Sequence, residues 1–166
     1  MPSDLAFKSF RRVVTTHDDA GKSIVQSIDT LTPRMIDSGD AGFQLVWTTA
    51  TVPANLNDGS DGPSAAAGKT LKGGSVIRIV DMVPGRPSPM HRSFSIDYGV
   101  VISGELELTL DGGETILLEA GDIVVQRSTN HLWRNPSDTE ICRIAFILIQ
   151  SEPVVVGGRV MEEVHP

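Results

Sequence analysis

From Gly74 to Ile149 the chain breaks into short apolar-rich runs with turn residues between them, too close together for helices of useful length. The runs cover 74–83, 97–103, 105–110, 115–118, 123–126, 131–134 and 141–149. Between them stand Ser103-Gly104, Asp111-Gly112-Gly113, Ala120-Gly121-Asp122, 128–130 and Asn135-Pro136-Ser137-Asp138. Regular Gly/Asp/Pro punctuation of this kind marks an all-β sandwich or barrel. Within 105–110, Glu105, Glu107 and Thr109 alternate with Leu106, Leu108 and Leu110. That is a strand with one wet face and one buried face.

The flanks fit the same plan. Residues 11–16 and 23–28 form a hairpin around the turn 18–22, and 43–49 is a firmer strand. The chain therefore divides into an N-terminal arm packing on the barrel (1–40), the barrel (41–150) and a tail (151–166). The tail reads either as an added edge strand or as a polar end. Residues 51–74 break the strand pattern, and a connection that long suggests an insertion or a lid over a cavity. Its acidic piece 57–62 lacks the ligand spacing of a calcium loop.

Length and charge narrow the function. At 166 residues one domain with a sizeable core is expected. A net charge of −7 argues against a nucleic-acid partner. No apolar run reaches membrane-spanning length and no leader is read at the N-terminus, so a cytoplasmic setting is expected. The single cysteine, Cys142, lies in the apolar run 141–149 and reads as a buried structural thiol. His17, in a turn, and His165, beside the end, carry no assignment.

The other two histidines lie in the central stretch. Strand residues two apart share a face, so His91 goes with Ser93, Asp97 with Gly99 and Val101, and His131 with Trp133. A barrel sets these strands side by side. His91, Asp97 and His131 then converge, a donor set able to hold Fe, Mn, Ni or Zn, or to act without metal as an acid/base cluster. Ser93, Trp133, Trp47 and Phe43 are the candidate substrate contacts. Tyr98, Arg92 and Arg134 are expected to face away from the lumen.

The spacing of this stretch resembles the cupin superfamily. Gly85, His91, Ser93, Asp97 and Gly104 keep every interval of the first cupin motif, and Gly121, His131 and Asn135 match the second. Two ligand types depart: Ser93 stands where the motif has a second His, and Asp97 where it has a Glu. The resemblance implies a double-stranded β-helix, or jelly-roll barrel, with an N-terminal hairpin extension, and a homodimer paired through that hairpin. It also implies a divalent transition metal on His91, Asp97 and His131, weakened by the loss at Ser93. A further implication is an enzyme acting on a carboxylated, phenolic or polyketide-like molecule of secondary metabolism. Decarboxylation, dehydration or cyclisation would suit. The alternatives are an Fe(II)-dependent dioxygenase and a non-catalytic small-molecule binder.

Overall fold

The structure, a computed structural model, describes residues 6–63, 68 and 70–165, and every regular element among them is a strand. An N-terminal hairpin pairs β1 (Phe10–His17) with β2 (Ser23–Leu31). Its turn lies where expected: Asp18 Oδ1 accepts from the backbone N–H groups of Ala20 and Lys22. The main body comprises β3 (Arg34–Met35), β4 (Ala41–Thr49), β5 (Ser75–Met82), β6 (Ser95–Ser103), β7 (Glu105–Leu110) and β8 (Thr115–Glu119). It continues through β9 (Ile123–Arg127), β10 (His131–Arg134) and β11 (Cys142–Gln150), and two short strands follow, β12 (Val155–Val156) and β13 (Arg159–Val160).

One sheet has the order β3-β4-β5-β11-β6-β9 and the other the order β10-β7-β8, all antiparallel. This is the all-β architecture expected from the turn spacing, in the jelly-roll form that the cupin resemblance implies. The inward residues of both sheets meet in one core. Leu106, Leu108, Leu118 and Trp133 come from the smaller sheet, and Val80, Met82, Val101 and Ile144 from the larger. Strand β7 shows the alternation read from sequence: Leu106 and Leu108 are buried while Glu105 is exposed. Cys142 is wholly buried, and burial pushes its thiol up to about 12, with Asp81 adding to the rise. It packs as a small apolar residue.

Strand β6 turns into β7 through Gly104 alone, at φ +80°. A Cβ there would lie 2.9 Å from the Cα of Cys142. Gly104→Ala is expected to cost about 2 kcal/mol, from left-handed backbone and crowding together. Gly121 also has positive φ, +98°, but faces open space. Urea midpoints should therefore fall further for Gly104→Ala than for Gly121→Ala.

The outer face of the larger sheet carries the N-terminal segment. Arg143 grips Asp81 with two hydrogen bonds, at 2.6 and 2.7 Å. The Phe10 ring lies 5.6 Å from that guanidinium. Arg12 donates to the Val46 carbonyl and pairs with Asp29. At the other end, the tail docks on the segment that carries His91. Arg92 and Val164 exchange backbone hydrogen bonds of 3.0 Å in both directions, and Glu163 accepts from Phe94 N–H.

Candidate functional site

The two sheets enclose a cavity of about 400 Å³ at one end of the core. His91 and His131 stand together on its wall. Their backbones pair reciprocally, His91 N–H to His131 O at 2.8 Å and the reverse at 2.9 Å, so both side chains leave on one face. The ring centroids are 4.3 Å apart. Prolines prepare this pairing. Pro84 and Pro87 bridge to Asn135 and Arg134, and Ser88 bonds both backbone groups of Trp133. The extended approach that prolines favour thus runs alongside β10.

Each ring is held in the same way. His91 Nδ1 lies 2.9 Å from the Pro89 carbonyl, and His131 Nδ1 lies 2.9 Å from the Thr129 carbonyl. A carbonyl only accepts, so Nδ1 carries the hydrogen in both rings. The neutral imidazole then has its lone pair on Nε2, the atom that acts as base or ligand. The aromatic row continues along the wall. His131 meets Trp133 edge-on at 5.4 Å, and Trp133 meets Phe146 at 5.4 Å. Trp133 is both core and cavity wall.

Asp97 enters from the facing sheet, on β6, with 9% of its surface exposed. Burial pushes its carboxyl up to about 6; the Ser95 hydroxyl and then Arg78 pull against this and offset it only in part. Among the described residues its Oδ1 finds no hydrogen-bond partner. Arg78, on β5, lines the same cavity over the Phe43 ring, 5.7 Å from its centroid. Burial lowers the guanidinium's pKa, and Asp97 acts against that shift.

Phe43, His91, Ser93, Asp97, His131 and Trp133 all line the cavity, as their strand faces require. Trp47 does not, which corrects the expectation that it joins Phe43. The register of β4 against β5 slips between Leu45 and Trp47, with Val46 as the extra residue. A bulge of one residue flips every later side chain to the other face. Trp47 ends outside the barrel, its indole N–H donating to Asp61 and its ring 5.7 Å from the Arg12 guanidinium. Tyr98 points outward, and Arg134 pairs with Glu107 at 2.8 Å, away from the lumen. Residues 64–67 and 69 of the long connection lie outside the described part. Among its described residues none lines the cavity, and Gly62 is pinned to Thr48 instead.

The expected three-donor metal set does not close. Among the described residues no group of three or more His, Cys, Asp and Glu side chains is near enough to hold a metal ion. Two residues depart from the motif there: Ser93 stands in place of one imidazole, and the Asp97 side chain is a methylene shorter than Glu. What the residues present supply is two adjoining imidazoles, with a carboxyl and a guanidinium across the cavity. Sequence reasoning missed Arg78 because 74–83 was read as an apolar run. Its alternation with Val76, Val80 and Met82 places it inward and was the available signal.

The site is thus an imidazole pair on the wall of a largely apolar cavity in a small two-sheet jelly roll. The Cupin domain family matches residues 78–148. Over 157 residues the chain is 43% identical to Phomopsin biosynthesis cluster protein C' of Diaporthe leptostromiformis, a match spanning 90% of this chain and 83% of that protein. It is 37% identical over 157 residues to Cupin-domain-containing oxidoreductase fogC of Aspergillus ruber, spanning 91% and 77%. Among solved structures, the Schizosaccharomyces pombe Cnp3 cupin domain matches 85% of this chain and 88% of that one. Its TM-score is 0.53 at 11% identity, a likeness of fold alone. The chain belongs to the cupin superfamily.

Proposed function

We propose that the chain is a cupin enzyme of secondary metabolism that moves protons on a small organic substrate held in the cavity. The observation that carries this reading is the matched imidazole pair. Two rings set by backbone carbonyls in one tautomer stand 4.3 Å apart in a largely apolar enclosure. One ring takes a proton from the substrate at Nε2 and, as the imidazolium, returns it to another atom of the same molecule, with the second ring beside it as a further acceptor. Decarboxylation, dehydration and cyclisation all need such proton traffic. The biosynthetic clusters named for the relatives support a tailoring role.

The test needs no known substrate. In a host carrying the full set of biosynthetic genes, removing this one should abolish a product and accumulate one precursor. The unmodified gene should restore the product, and His91→Ala/His131→Ala should not. Full restoration by that variant ends the acid/base reading. Binding of the precursor without turnover favours a carrier over an enzyme.

A second reading rests on the relatives named oxidoreductases. Oxygen uptake that appears only with added Fe(II) and precursor would establish it over the redox-neutral one. We also propose that a second copy covers the exposed face of the hairpin. Val13 and Ile28 pair across β1 and β2 with more than half their surfaces bare, beside Val25. Light scattering should give twice the chain mass, and a monomer would refute the pairing.

A further inference from the structure

The cavity has a polar end that the proton-transfer reading does not use. Arg78 and Asp97 sit on β5 and β6, on either side of β11, and both open into the cavity. Between their strands, β11 contributes Phe146 and Leu148 to the lining, so the floor separating the two charged groups is apolar. Across that floor they feel one another's charge. The guanidinium is anchored: it donates to the Gly68 carbonyl and stacks over Phe43. A fork of donors held in place over a ring suits a planar acceptor such as a carboxylate. Asp97 Oδ1 is a buried acceptor with no donor among the described residues. A buried acceptor left without a donor is costly, so a ligand supplying one gains the difference.

We propose that Arg78 and Asp97 together recognise a hydroxy-carboxylate: the carboxylate docks on the Arg78 guanidinium and the adjacent hydroxyl donates to Asp97 Oδ1. The proposal deepens the proton-transfer reading and rests on it for placing the substrate in this cavity. The remainder of the molecule is apolar, because Phe43, Met82, Trp133 and Phe146 surround the rest of the space. It reaches toward the imidazole pair, so the atoms that exchange protons lie at the end away from the carboxylate. A substrate with two adjacent negative charges suits the site less well, since Asp97 and Asp40 also line the wall. Specificity of this kind works by leaving polar groups unmatched when the ligand lacks one of them.

The experiment uses three probes on the unmodified chain, followed by calorimetry or by tryptophan fluorescence: mandelate, phenylacetate, which lacks the hydroxyl, and methyl mandelate, which lacks the charge. Mandelate should bind at least tenfold more tightly than either, because a hydrogen bond to a buried charged group is worth that much. Arg78→Gln should erase the preference over the ester and keep the preference over phenylacetate. Asp97→Leu, which matches the shape but removes the acceptor, should do the converse. His131→Ala should keep the full ranking, so the recognition site can stand even where the acid/base reading fails. Equal binding of the three probes, no binding of mandelate, or variants that retain the unmodified ranking would overturn the proposal. Should Arg78→Gln not fold, the three-probe comparison on the unmodified chain still decides.

Discussion

Asp97→Asn is expected to make the protein more stable, by about 3 kcal/mol at pH 8, while harming its function. The carboxyl titrates near 3.8 when unfolded and at about 6 when folded, because burial disfavours its charged form more than Ser95 and Arg78 favour it. The folded state therefore holds the proton more tightly. Below the unfolded value both states are protonated, and the carboxyl takes nothing from stability. As pH rises through the window from 3.8 to about 6, the folded state must give up its proton against burial, and stability is lost. A gap of roughly two pH units between the folded and unfolded values corresponds to about 3 kcal/mol. Asparagine copies the uncharged form at every pH. Urea unfolding should show variant and unmodified chain together near pH 3 and separating up to pH 7. Equal stability at pH 8 would mean that Asp97 is not desolvated by the barrel. A charge held at a cost in a cavity is what a working site, rather than a packing site, leads one to expect.

The second large effect is on turnover. His131→Ala is expected to slow conversion of the accumulated precursor by about 10²–10⁴-fold, the usual contribution of a positioned acid or base. Stability should suffer much less, because β10 is held by backbone pairing to β7 and to His91, which the substitution leaves in place. His131→Phe separates the roles. It fills the gap beside Trp133 and restores packing, but it carries no proton. Turnover in His131→Phe near that of the unmodified chain would make the ring structural.

Much of this was legible in the residues. Turn chemistry placed every strand from β5 to β11, because Gly, Asp and Pro act through backbone geometry that the chain carries locally. Motif spacing brought His91, Ser93, Asp97 and His131 to one cavity, since strand alternation sets which face a side chain takes. Three things were not legible. The bulge at Val46, which turns Trp47 outward, arises from pairing with β5 and leaves no local mark in the sequence. The docking of the tail beside Arg92 runs through backbone groups, which every residue has. The third is that His91, Asp97 and His131 do not form a metal-holding group: spacing sets a position along a strand, not the separation of side-chain ends. Arg78 differs from these, for its inward position could be read from its neighbours.

The claim on which the rest depends is that both imidazoles present Nε2 to one cavity where a small molecule binds. Nitrogen-15 chemical shifts of the two rings test it most directly, recorded in alkaline solution with and without the precursor. The result expected is a protonated Nδ1 and an unprotonated Nε2 in both rings, with both Nε2 signals shifting when the precursor binds. Rings protonated at Nε2, or Nε2 signals unmoved by a precursor that demonstrably binds, would contradict it.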